Sequence, residues 1–285
     1  MTRRSSTTLT TIAVLILLCV VSASATPAEV QQSDAYQPWA RVLIKFVNER
    51  GEVDFHALAH NRADLDAFLG YISHVSPRSA PGLFASREAK LAYYINAYNA
   101  LAMFNVIDSD FPKSLAGLAK VKFFGWKRFA IGGERMSLYT LENDFVRPQG
   151  DERVHFALNC MSVGCPRLPR LPFQAENLDR QLDAEARAFF GEKRNLQVDP
   201  GRKLVRVSSI LKFYTDDFLA RMPTLIAYIN LYASTQIPSD YRVEFIDYDW
   251  TVSVQHRDKV GSSFRGFYEA ALRLRKHNDR TLSCS

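Results

Sequence analysis

Apolar positions along this chain recur mostly at three- and four-residue intervals, the spacing of helices with one buried stripe. The first stripe is Trp39, Val42, Leu43, Phe46 and Val47, with Pro38 at a first helical position and Gly51 closing the helix. An extended link, Val53-Asp54-Phe55, leads to a second helix from about Arg62 to Ser73, and Pro77 to Gly82 reads as a loop. Ser86 then caps the longest helix, Arg87 to about Ile107, with Leu91, Tyr94, Ile95, Tyr98, Leu101, Ala102 and Asn105 on its core face. A second stripe on the same helix, Ala92, Asn96, Asn99 and Met103, carries two amides. Buried amides must be hydrogen-bonded, so these either tie down a neighbouring loop or line a site and orient a histidine or a ligand carbonyl.

From Lys113 to Arg135 the chain is basic and aromatic, with Gly132-Gly133 placed as a two-residue hairpin turn. The aromatic residues between Phe123 and Phe129 read as one buried face of that hairpin, or else as an exposed interaction patch. A short helix from Leu138 to Phe145 carries Glu142 and stops at Arg147-Pro148. Val154 to Leu158 is β-favouring and apolar and predicts a strand, which places His155, Ala157 and Asn159 on one face and Cys160 on the other. Gly164, Pro166, Pro169 and Pro172 then enforce a loop. Helices are predicted over Ala175 to Phe190, from Ser208 or Ser209 to about Arg221, and from Pro223 through Tyr232. Strands lie on either side of Asp199-Pro200-Gly201 and at Val243 to Ile246, the last running into Tyr248-Asp249-Trp250 and on to Thr251 to Val254. Ser263 to His277 reads as a last amphipathic, arginine-rich helix. Helices dominate and no βαβ rhythm appears, so the class is α+β: a mostly helical single domain with a small antiparallel sheet of hairpins and a central His-bearing strand.

The first residues change the setting. Arg3 and Arg4, an apolar run from Ile12 to Val21 and Ala23-Ser24-Ala25 make a secretory signal peptide cleaved after Ala25. Cys19 follows the bulky Leu18, which disfavours a lipid-attachment site. The run is too short to span a bilayer and no other stretch qualifies, so the mature chain is expected to be periplasmic or secreted. With 47% hydrophobic and 12% aromatic residues it can bury a large core. Without Arg3 and Arg4, 34 basic residues face 30 acidic ones, a net charge of +4 that suits an anionic envelope surface. Export excludes nucleic acid as a natural partner and leaves a small molecule or a peptide.

Chemistry concentrates between His155 and Cys165. The mature cysteines are Cys160, Cys165 and Cys284, an odd number for an oxidising compartment. Cys160 and Cys165 straddle Gly164 closely enough for a disulfide. Alternatively Cys165 is a nucleophile activated by His155, with Asn96, Asn99 or Asp249 as the third member. Cys160, Asn159, Glu142, Arg147 and Tyr98 are the candidate binding residues around that pair. A zinc set of His155, Cys160, Cys165 and Glu142 or Asp249 has suitable ligand types but not the tight cysteine spacing of a zinc ribbon, and no metal or cofactor is expected. His56, His60, His74, His256 and His277 have no partner pattern and read as surface or structural.

Six ordered motifs carry a resemblance: Val53-Asp54-Phe55; Tyr94-Ile-Asn-Ala-Tyr-Asn-Ala-Leu101; Ser137-Leu-x-x-Leu-Glu142 with Arg147; His155-Phe-Ala-Leu-x-Cys-x-x-x-x-Cys-Pro166; Ser209-x-x-x-x-Tyr-x-x-Asp-Phe218; and Tyr248-Asp249-Trp250. Together they resemble the domain-of-unknown-function family 547, found in exported bacterial proteins and in plant proteins with a coiled-coil region. The resemblance covers about Tyr36 to Trp250. It implies a family domain over 36–254, preceded by a flexible N-terminus over 26–35 and followed by a basic helix or tail over 255–285. Phe55 stands where the family often has Tyr, and Thr251-Val252 replaces the usual Ser-Leu.

Overall fold

A computed structural model describes residues 27–255. The expected leader over 1–25, the helix over 263–277, His256, His277 and Cys284 lie outside the described residues. Helix α1 (Pro27–Phe46) already covers most of the stretch expected as a flexible N-terminus. It also runs through Pro38, which was expected to start it. A proline inside a helix leaves one carbonyl of the preceding turn without its donor, but Trp39, Val42, Leu43 and Phe46 remain buried along one stripe. That burial outweighs the lost bond. Gly51 lies beyond the helix, at φ +78 in the turn joining the bridged Val47 and Val53. The link read as extended ends after Val53, because the Asp54 carboxylate accepts from the Ala57 N–H at 2.9 Å and starts α2 (Phe55–His60).

Helix α3 (Ala63–His74) packs against α1, and α4 (Arg87–Asp108) runs through the middle of the molecule, capped by Ser86 as expected. Both stripes of α4 are buried, so it presents no broad polar face. Asn105 on α4 donates to the Phe123 carbonyl at 3.0 Å and anchors α5 (Leu118–Lys120) and its π-helical continuation Val121–Trp126. This helical stretch corrects the hairpin reading of those aromatic residues. Only the hairpin's second half is sheet: β1 (Phe129–Ile131) pairs antiparallel with β2 (Glu134–Met136) across Gly132-Gly133. Phe123 is buried, while Trp126 is 62% exposed. Helix α6 (Leu138–Thr140) continues as a π-helical turn, Leu141–Val146, that carries Glu142.

The predicted His-bearing strand is instead a 3-10 helix, Glu152–Phe156. Its sequence favours a strand, but its side chains have helical partners. Asp151 caps it by accepting from the Arg153 N–H at 3.2 Å. Arg153 bonds Asp151, and also Asp179 and Asp183 on α7 (Leu178–Gly191), at 2.7 to 2.9 Å. Successive residues then enter different cores. Val154, Ala157 and Leu158 join the cluster around α4, whereas Phe156 joins a second cluster with Phe189, Phe190, Phe218 and Tyr228. Full burial of a Phe side chain contributes about 1.5–3 kcal/mol, which holds the turn between the two.

The second cluster is completed by β3 (Leu196–Asp199), β4 (Leu204–Ser208), α8 (Ile210–Phe213), α9 (Thr215–Arg221), α10 (Leu225–Tyr232) and β5 (Arg242–Ile246). The helix expected from Ser208 or Ser209 to Arg221 is broken at Tyr214 into α8 and α9. β3 and β4 form the expected hairpin, but β5 pairs parallel to β4, with Leu204 opposite Arg242 and Ser208 opposite Ile246. The sheet is therefore mixed, with α8 to α10 as the crossover, rather than wholly antiparallel. Residues 249–255 then lace the molecule together. Gly164 N–H donates to the Asp249 carbonyl, Leu115 N–H to Trp250, Val163 N–H to Thr251, and Gln255 N–H to Val53, all at 2.8 to 3.1 Å.

Candidate functional site

The loop after the 3-10 turn is tied down by amides. Asn99 donates to the Ala157 carbonyl at 3.0 Å and accepts from the Asn159 N–H at 2.8 Å. One turn earlier on α4, Asn96 makes the same pair of bonds to the backbone of Phe173. Both amides are 1% exposed. Asn159 repeats the device within the loop, donating to the Pro166 carbonyl and accepting from the Met161 N–H, each at 2.6 Å. That clasp supports Met161 in the left-handed region at φ +69 and closes the turn over which Cys160 and Cys165 form a disulfide.

The disulfide meets Tyr248. Its hydroxyl lies 3.2 Å from Cys160 Sγ, 3.1 Å from Cys165 Sγ and 3.2 Å from the Ser162 hydroxyl. Gly164 makes this approach possible, because a Cβ there would stand 2.9 Å from the Tyr248 ring and 3.0 Å from the Asp249 nitrogen. Burial raises the Tyr248 hydroxyl above its ordinary pKa, so it stays a donor.

Beside the disulfide, the buried His155 sits under the ring of Tyr214, with centroids 3.7 Å apart and planes 18° from parallel, and meets the edge of Phe218. His155 Nε2 is 2.7 Å from Asp217 Oδ2. Arg147 grips the same carboxylate with two bonds, Nε to Oδ2 at 2.9 Å and Nη2 to Oδ1 at 2.8 Å. The bonds from His155 and Arg147 hold Asp217 far below the usual carboxylate range, against the opposing effect of burial. Glu142 is also buried and accepts from the Tyr214 hydroxyl at 2.6 Å. Burial first, and then the nearby Glu142 charge, raises the pKa of Tyr214 and of Tyr98, so both keep their hydroxyl protons.

His155, Arg147, Glu142, Tyr214, Tyr248 and the disulfide border a cavity of about 380 Å³, with Asp217 behind His155 and Arg147. Aromatic residues dominate its walls, with Tyr139, Phe213 and Trp250 towards the outside, and Lys120 at the rim. Lys120 Nζ stands 4.5 Å from the Trp250 ring centroid and 5.7 Å from that of Phe213. Of the residues predicted from sequence, Tyr98, Glu142, Arg147, His155, Cys160 and Cys165 line this cavity together. Asn96, Asn99 and Asn159 lie behind it, bonded to backbone. Asp249 is exposed and its carboxylate accepts from the Thr251 N–H at 2.8 Å. The expected strand parity fails with the strand, and Cys165 is the more buried of the two cysteines. Among the described residues no three His, Cys, Asp or Glu side chains converge as a metal set. His56, His60 and His74 are exposed. Sequence reasoning did not single out Tyr214, Asp217 or Tyr248 as site residues. Their signal was present in the Ser209–Phe218 and Tyr248–Trp250 motifs, which name residue types without saying which side chain they meet.

Residues 84–190 match the family described as "Protein of unknown function, DUF547", the family that the ordered motifs resemble. The match spans α4, the 3-10 turn, the disulfide loop and most of α7, and stops before Asp217 and Tyr248. No curated protein and no solved structure matches the chain.

Proposed function

We propose that this domain is a small-molecule-binding module whose ligand occupies the cavity beside the disulfide. What supports the reading most is the state of the polar groups around the cavity. Asp217 is already paired with His155 and Arg147, Glu142 with Tyr214, and the cysteines with each other. The remaining walls are aromatic, as in sites that bind a ligand's body by burial and fix it with few polar groups. Lys120 forms no ion pair among the described residues, and its ammonium overhangs the entrance. The ligand class that fits is a flat or apolar body with one anionic group.

Calorimetry with 2-naphthoate as the probe tests this. One saturable site is expected, weakened by Lys120→Ala through charge and by Phe213→Ala through lost wall area. No binding heat with folded protein, or binding indifferent to both changes, overturns it. A second reading, a thiol-dependent hydrolase or acyl transferase using Cys165 and His155, is supported by their common cavity. Its mark is a burst of p-nitrophenol from p-nitrophenyl acetate after mild reduction, abolished in Cys165→Ser. Export is part of the proposal, supported by the leader pattern and by a disulfide suited to an oxidising compartment. Mass spectrometry of the mature chain should find Thr26 at its start, and an intact Met1 or a lipidated Cys19 refutes cleavage after Ala25.

A further inference from the structure

The sulfur wall of the cavity has a directional environment that ligand binding alone does not require. Cys165 is 3% exposed, whereas Cys160 is partly open. Two donors reach the buried sulfur. The Cys160 N–H donates to Cys165 Sγ alone at 2.9 Å, and the Tyr248 hydroxyl stands 3.1 Å from it and 3.2 Å from Cys160 Sγ, while the Ser162 hydroxyl is nearer Cys160 Sγ, at 3.1 Å against 3.6 Å. The Ser162 hydroxyl donates its one proton to the Tyr248 oxygen at 3.2 Å, which leaves the tyrosine proton free to point at sulfur. A neutral disulfide sulfur accepts hydrogen bonds weakly and a thiolate accepts them strongly. The backbone N–H fixed on Cys165 Sγ, with the Tyr248 hydroxyl beside it, is therefore preorganised for charge that exists only once the S–S bond has broken.

We propose that Cys160–Cys165 is a site of thiol–disulfide exchange serving low-molecular-weight thiols that enter the aromatic cavity. The incoming thiolate attacks Cys160 Sγ, the open half, and forms a new S–S bond to it. The bond to Cys165 breaks, and its electron pair leaves on Cys165 Sγ as a thiolate held by the Cys160 N–H and the Tyr248 hydroxyl. A second thiolate attacks the sulfur of the first in the mixed disulfide and releases Cys160 as a thiolate. Two thiols are thereby oxidised to their disulfide. The cysteine pair takes the two electrons, and the two thiolates take up the protons that the incoming thiols gave up. The cavity volume of about 380 Å³ admits a small thiol and not a folded chain. The exchange does not depend on which ligand the cavity binds.

The test is exposure of native, oxidised protein to a few equivalents of reduced glutathione, an iodoacetamide quench and peptide mass spectrometry. Glutathione is expected on Cys160 and the alkyl group on Cys165. Tyr248→Phe is expected to slow the adduct about tenfold or more, as for loss of one hydrogen bond to a charged group. If Tyr248→Phe does not fold, Ser162→Ala should slow it by a smaller factor. An adduct that forms only after unfolding in urea, glutathione on Cys165 instead of Cys160, or an unchanged rate in the folded hydroxyl variants overturns the proposal.

Discussion

Asn99→Leu isolates what the central helix does for the site. The substitution keeps the side chain's approximate volume but removes one donor and one acceptor. It strands two backbone groups in the interior, the Ala157 carbonyl and the Asn159 N–H. Each buried orphan costs about 1–3 kcal/mol, so the pair costs about 4. Leucine's added apolar burial returns about 1 kcal/mol, below its full transfer value because the surroundings are shaped for an amide. The net loss is about 3 kcal/mol, or roughly 6–12 °C in Tm for a domain of this size. Asn99→Asp keeps the acceptor for the Asn159 N–H and strands only the Ala157 carbonyl, but buries a carboxyl group, so a loss of similar order is expected and it grows with pH as the carboxyl ionises. Thermal unfolding by circular dichroism across pH 5 to 8 reads both. A Tm within about 2 °C of the parent for Asn99→Leu would show that the loop satisfies itself from other sources, and the argument for these amides as staples would fail.

Other consequences are as direct. Asp217 is held ionised in the folded state, so its stabilising effect is present above the unfolded carboxylate range near about 4 and is lost as pH falls towards its lowered folded value. Asp217→Asn should therefore destabilise most at pH 5 to 7 and lose its effect in acid, and a pH-independent difference in urea midpoints would contradict that. Replacing both Cys160 and Cys165 by Ala opens a short loop, and the chain-entropy estimate gives a loss of about 2 kcal/mol in urea unfolding. Gly164→Ala should push the Tyr248 ring off the disulfide. Its tyrosine signals in near-ultraviolet circular dichroism should change, while unaltered spectra and naphthoate affinity would show that the contact is dispensable.

What the sequence disclosed, and what it withheld, follows from how local each interaction is. The Ser86 cap, the α4 stripes, the Gly132-Gly133 turn and the β3–β4 hairpin depend on residues within a few positions of one another, and all appear as expected. Asn96 and Asn99 announced their partners indirectly, since amides on a helix buried on nearly every side must bond something. Residues 154–158 misled because their β propensity is real but is overridden by Arg153, whose carboxylate partners Asp179 and Asp183 lie 26 and 30 positions away. His155 and Asp217 are 62 positions apart and Tyr248 is 83 from Cys165, separations that spacing rules cannot see. Pro38 is a local rule overridden by burial of the residues after it.

The lacing by residues 249–255 also sets an order in time. One wall of the cavity, Tyr248 and Trp250, and the backbone donors and acceptors of Leu115, Val163, Gly164 and Val53 all wait for this segment. A chain emerging N-terminus first can collapse its α1–α4 helices early through near neighbours, but contacts spanning some 200 positions, such as Gln255 to Val53, close late and slowly. Until then the cysteine loop lacks Tyr248 above it, and its thiols stand open to whatever oxidises them. Sulfur pairing would thus precede closure of the pocket, and the last few described residues would act on a bond already made.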